Sequence, residues 1–270
     1  MSNNNPIGIF DSGLGGLTCV KEVMRLLPNE NIIYFGDTLR VPYGTRSAET
    51  IVKYVRQDIN FLRSFDIKMI IIACGTASAT ALSVVHNDYN VDILGVVAPA
   101  CAEAVQLSVN RKIGVLGTRG TINSDKYNQH INSIAADVEV ISQACPLFVP
   151  LVENGYLQGD IPALVAQEYL EPLKAAGVDT VILGCTHYPL LSDVIRDILG
   201  ENVRLVDAGR SAAVAAAKRL TSLGLENDSG EVGHVRYFVS DDPDGFAKLG
   251  GMFLERKITD DVRKVDIEEF

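Results

Sequence analysis

The chain has 270 residues, no Trp, 47% hydrophobic and 21% charged residues, enough to bury about three quarters of its unfolded surface without a disulfide or metal staple. Its 24 Lys and Arg against 34 Asp and Glu give a net charge of −10, spread along the chain with no basic stripe, which argues against a nucleic-acid partner. The longest apolar stretch, Met69 to Cys74, is far short of the roughly 20 residues a membrane span needs, and five widely spaced cysteines, an odd count, make no disulfide framework. The opening Met1-Ser2-Asn3-Asn4-Asn5-Pro6 has neither a basic region nor an apolar one, so no signal peptide is expected and a reduced, cytoplasmic setting is.

In chain order, β-branched runs at 7–10, 31–35, 68–73, 92–97, 112–116, 137–142, 179–183, 203–206 and 235–239 predict strands. Stretches such as 46–65, 99–109, 160–176 and 209–223 predict helices between them. Strands this apolar, alternating with helices, imply an α/β fold with mostly parallel sheets flanked by helices.

The order also repeats. Ile7-Gly8-Ile9-Phe10-Asp11-Ser12 resembles Ile113-Gly114-Val115-Leu116-Gly117-Thr118 at an offset of 106, and Val41-Pro42 pairs with Val149-Pro150 at 108. Ile70 to Cys74 pairs with Val181 to Cys185 at 111, and Val97-Ala98-Pro99 with Val206-Asp207-Ala208 at 109. Four matches in one order at nearly one offset predict two similar α/β domains facing across a cleft. The expected division is 1–98 plus about 208–270, and 99–207, with the C-terminal stretch packing back onto the first half.

Polar groups at the carboxyl ends of parallel strands point into such a cleft. Strand 7–10 ends in Asp11-Ser12-Gly13-Leu14-Gly15-Gly16. Its glycines allow close approach to a ligand, and the following helix start favours an anion; an ordinary strand-to-helix turn fits equally. The loop is neither the dinucleotide fingerprint nor the Walker loop. Pro42-Tyr43-Gly44 after strand 31–35 reads first as a turn, second as a ligand wall. Cys19, Cys101 and Cys145 read as small buried hydrophobes. Cys74-Gly75-Thr76 and Gly184-Cys185-Thr186-His187 differ: each thiol ends a strand just before an expected helix start, which lowers a thiol's pKa, and the two are equivalent in the repeat.

Two opposed thiols suit a two-base racemase, in which one side removes a proton from a tetrahedral carbon and the other returns one. Three other readings stay open. Cys74, Cys185 and His187 as zinc ligands lack a fourth donor and a CxxC pair. A cysteine hydrolase using Cys185 and His187 needs two side chains expected to diverge, and leaves Cys74 idle. A two-lobed binding protein explains the cleft but not the thiols. A disulfide between them is disfavoured by the reduced setting.

Taken together, Asp11 to Gly16, Pro42-Tyr43-Gly44, Ala73-Cys74-Gly75-Thr76-Ala77, Pro150 to Gly155 and Gly184-Cys185-Thr186-His187-Tyr188-Pro189 resemble glutamate racemases. The resemblance runs in order from about residue 7 to at least 210. It implies a cofactor-independent, metal-free interconversion of L- and D-glutamate that supplies peptidoglycan synthesis and cell-wall shape, carried out by a homodimer. It implies Cys74 and Cys185 as the acid/base pair, Cys185 acting on the L and Cys74 on the D enantiomer, assisted by Asp11, Glu153 and His187. Asp11, Ser12, Pro42, Tyr43, Gly44, Gly75, Thr76, Thr186 and His187 are expected to hold substrate, with Thr118 and Thr121 near the pocket. The family usually has Asn where this chain has Gly75, so an Asn placed there is expected to restore one amide contact and improve glutamate affinity up to about tenfold. An aspartate racemase is the alternative enzyme.

Overall fold

The computed structural model describes residues 3–258 and 261–270; Met1 and Ser2, in the segment read above as carrying no signal peptide, and Thr259 and Asp260 lie outside them. Among the described residues the strands are β1 (Ile7–Asp11), β2 (Ile32–Gly36), β3 (Met69–Ile72), β4 (Asp92–Gly95) and β5 (Lys112–Gly117). They continue with β6 (Glu139–Ala144), β7 (Thr180–Leu183), β8 (Arg204–Asp207), β9 (Val235–Val239) and β10 (Val262–Lys264). One sheet has the order β10-β9-β2-β1-β3-β4 and the other β6-β5-β7-β8. Every pairing is parallel. Each sheet thus contains the same four-strand unit, β2-β1-β3-β4 matching β6-β5-β7-β8. The stretch after Asp207 adds β9 and β10 to the edge of the first sheet.

Alternation along the central strands divides the core. Ile7 and Ile9 of β1, Ile32 and Tyr34 of β2, and Met69 and Ile71 of β3 face helices Leu17–Leu26 and Ala208–Leu223. Phe10, Ile33, Phe35, Ile70 and Ile72 face the opposite layer, with helices Ala48–Arg63 and Gly75–Val85. The first cluster runs on without a break through Ala100, Ala104 and Ala212 into Ile113, Val115 and Ile182 of the second sheet. Each large side chain buried this way contributes about 1.5–3 kcal/mol.

Edge strands depart from the buried pattern: β6 and β10 are half-exposed or exposed along their length. Short side-chain caps start three of the helices that follow strands. Cys74 caps Gly75–Val85, Thr118 caps Arg119–Asn123, and Asp207 caps Ala208–Leu223 through the Gly209 and Arg210 N–H groups. Among the described residues no helix is long and apolar enough to cross a membrane.

Candidate active site

The two sheets meet through small residues. A Cβ on Gly15 would overlap the Thr186 hydroxyl, one on Gly75 would overlap the Gly184 carbonyl oxygen, and one on Gly44 would press on Thr118. The Thr18 hydroxyl, besides bonding Gly15 O, donates across to Thr186 O at 3.1 Å. Glycine at these points lets two backbones approach more closely than any other residue permits.

Between these contacts, at the carboxyl ends of the strands, lies a cavity of 330 Å³. The first half lines it with Ser12 and Gly13 after β1, the loop Val41 to Thr45 after β2, and Cys74, Gly75 and Thr76 after β3. The second half supplies Thr118 and Arg119 after β5, and Cys145, Pro146, Val149, Pro150 and Glu153 after β6. Gly184, Cys185, Thr186 and His187 complete it after β7.

The surroundings of the two thiols differ. Cys74 Sγ lies 3.6 Å from Ser12 Oγ and accepts the Ala77 N–H at 3.4 Å. Cys185 Sγ lies 3.9 Å from His187 Nδ1, and His187 Nε2 lies 3.0 Å from Glu153 Oε1. Cys185, His187 and Glu153 therefore form a chain from the cavity to the half-exposed Glu153. The Cys185 and His187 side chains come together rather than diverge. The turn between them folds back on itself, with Tyr188 N donating to Cys185 O at 3.1 Å.

The expected lowering of the thiols is overturned. Burial pushes Cys74 up to about 11, and the Asp11 charge adds to it; the Ala77 N–H and the Ser12 contacts pull it back only in part. Burial raises Cys185 as well, with the Cys74 and Asp11 charges adding, against the His187 N–H. Cys185 also lacks the expected helix directly after it: a short 3₁₀ turn begins only at Tyr188, capped by His187.

Asp11 lies under the cavity rather than in its lining. Its carboxylate accepts the Gly13 N–H at 2.9 Å and the Thr186 hydroxyl at 3.4 Å. The anion held by the loop before helix Leu17–Leu26 is thus the protein's own. Burial raises the Asp11 pKa against the attraction of His187 and bonds from Gly13, Gly16 and Thr186. Thr121 is likewise buried behind the wall, its hydroxyl 3.2 Å from Thr76 and 3.1 Å from Thr118. Tyr43 lines the cavity, while its hydroxyl turns away and donates to Asp37 at 2.5 Å. Gly75 is no lost amide contact: the space an Asn side chain needs is filled by Gly184 O, so the expected gain in affinity does not fit this geometry.

Sequence reasoning overlooks Arg119, Cys145 and the apolar wall of Val41, Pro146, Val149 and Pro150. The repeat carries part of that signal, since Val41-Pro42 and Val149-Pro150 are repeat partners and all four residues line the cavity. All five cysteines are free thiols. Among the described residues, no three His, Cys, Asp or Glu side chains come together in a way that could hold a metal ion.

The profile of the Asp/Glu/Hydantoin racemase family matches residues 16–216. The chain is 47% identical to the glutamate racemase of Geobacter metallireducens, over 97% of each. Among solved structures, a glutamate racemase isoform from Bacillus anthracis superposes with a TM-score of 0.94 at 34% identity, over 98% of each chain. The Francisella tularensis glutamate racemase in complex with D-glutamate gives 0.92 at 39%, over 99% of each.

Proposed function

The chain belongs to the glutamate racemase family, within the Asp/Glu/Hydantoin racemases, and on that footing we propose that it inverts the α-carbon of glutamate with Cys74 and Cys185 as the two acid/base groups and no cofactor. The observation that carries the reading is the placement of the two thiols. They end equivalent strands of two like-ordered sheets, β3 and β7, and both line one cavity.

Cys185, next to His187 and Glu153, removes the α-proton of L-glutamate while Cys74 delivers one to the other face; with D-glutamate the roles exchange. Burial keeps both groups as thiols in the free protein at neutral pH; the one that acts as base first gives its proton to solvent, and the substrate's ammonium brings in the positive charge that favours the thiolate left behind. An amino-acid α-proton is weakly acidic, so donors around the α-carboxylate must hold the growing negative charge. The Ser12 and Thr76 hydroxyls and the Gly75 and Thr76 N–H groups at the start of helix Gly75–Val85, which have no intrahelical acceptor, supply them. Thr118 and the backbone of Gly44 complete the wall, and Asp11 and Thr121 brace it from behind.

The two domains, 1–98 with about 208–270 and 99–207, close over the substrate. The D-glutamate formed serves peptidoglycan synthesis in the cytoplasm, and the enzyme works as a homodimer; the motif resemblance supports these roles. The test is chiral analysis of the purified chain with L-glutamate, D-glutamate and L-aspartate, alongside Cys74→Ala and Cys185→Ala. Inversion of glutamate, lost in both variants, is expected. Full activity in either variant, or inversion of aspartate in preference, contradicts the reading.

A further inference from the structure

One wall of the cavity, Val41 to Thr45, rests on a polar cluster buried behind it. Arg40, just before the wall, is 6% exposed, and Asp37 and Asp58 are fully buried. The Arg40 guanidinium donates to Asp37 Oδ2 at 2.6 Å, Gln57 Oε1 at 2.6 Å and Asp58 Oδ1 at 2.9 Å, and lies 4.1 Å from the Tyr54 ring centre. Tyr43, inside the wall, sets its hydroxyl 2.5 Å from Asp37 Oδ2 and 3.1 Å from Asp58 Oδ2. Residues on either side of Val41-Pro42 are therefore anchored on the same two carboxylates. Burial and the Asp37 charge push the Asp58 pKa up, against the attraction of Arg40 and the bond from the Tyr43 hydroxyl.

The outer side of this cluster is covered by the end of the chain. Gln57 Nε2 donates to Ile267 O at 3.4 Å, and Asn60 Nδ2 donates to Phe270 O at 3.1 Å. Glu268 Oε1 lies 3.6 Å from Arg40 Nη1. Ile267 is fully buried and the Phe270 ring packs 5.3 Å from that of Phe61. The last turn of the chain thus touches the same arginine that holds the cavity wall.

We propose that Arg40 is a positioning residue for the substrate: fixed by Asp37, Gln57 and Asp58 and closed over by Glu268, it sets the pose of the wall at 41–45, so that the C-terminal turn tunes glutamate affinity without touching the ligand. This rests on the reading of the cavity as the glutamate site. No member of the cluster reaches the reacting carbon, so its loosening acts on binding first.

The experiment measures kcat and KM for glutamate in the wild type, Glu268→Ala, Arg40→Lys and the double variant, with circular dichroism to follow the folded fraction. Glu268 is 55% exposed, so its alanine variant tests the idea even if Arg40→Lys does not fold. Expected are a KM two- to threefold higher in Glu268→Ala and about tenfold higher in Arg40→Lys, with kcat within twofold. In the double variant the KM is no higher than in Arg40→Lys alone, because both changes act through one arginine. A merely structural role lowers kcat with the folded fraction and leaves KM unmoved. An unchanged KM in Glu268→Ala overturns the proposal, as does a multiplicative KM in the double variant. A wild type that neither binds nor inverts glutamate instead overturns the reading of the cavity.

Discussion

Gly75 and Gly184 meet backbone to backbone across the cleft, with the Gly184 carbonyl oxygen occupying the place where a side chain on Gly75 would begin. Each glycine adjoins one of the two cavity thiols, so this contact sets how far apart Cys74 and Cys185 stand. Gly75→Ala is expected to push the strand ends apart and lower kcat/KM by about 100-fold, the cost of a displacement near 1 Å in a catalytic group. Gly75→Asn is expected to do the same rather than improve binding. Steady-state kinetics of both variants check this, and a lower KM with unchanged kcat in Gly75→Asn contradicts it.

Much of this arrangement is legible in the sequence. The β-branched runs mark nine strands, most plainly the central β1, β2, β3, β5 and β7 that are buried on both faces, and the repeat offsets foreshadow two sheets of one strand order. The short β10 is not legible, because Val262-Arg263-Lys264 is an exposed edge without an apolar run. Nor is the fate of Gly75, whose neighbour Gly184 is brought close only by tertiary packing. The direction of the thiol shifts fails for a related reason: a helix start is visible in sequence, whereas burial, which outweighs it at Cys74, is not.

Glu153 reaches Cys185 only through His187. Glu153→Gln is expected to lower kcat/KM by about 10- to 100-fold, the range of a weakened acid/base group. The loss must be equal in both directions, because the two enantiomers have equal free energies. The Glu153 side chain is 42% exposed, so the thermal midpoint should move little. Kinetics from each enantiomer and a thermal melt test this; an unchanged kcat/KM means that His187 needs no carboxylate to serve Cys185.

The pH dependence follows from Cys74. Its thiol is pushed up to about 11 by burial, and the thiolate is the base for D-glutamate. Below that value the thiolate fraction grows about tenfold per pH unit. The logarithm of kcat/KM for D-glutamate should therefore climb with a slope near +1 between about pH 6.5 and 8.5. A flat profile across that range indicates a thiol already ionised at neutral pH.

The division of labour between Cys74 and Cys185 is tested most directly by isotope exchange in deuterated water. Each alanine variant is incubated separately with L- and D-glutamate, and α-deuterium is followed by NMR while chirality is followed by chromatography. Cys74→Ala should stop racemising yet slowly exchange the α-hydrogen of L-glutamate with retention, through Cys185. Cys185→Ala should do the same with D-glutamate only. The wild type should place deuterium mainly in the inverted product at early times, because each face has its own proton donor. Exchange confined to the opposite enantiomers would keep two bases and reverse their faces, whereas near-normal racemisation by either variant would contradict the two-thiol mechanism itself.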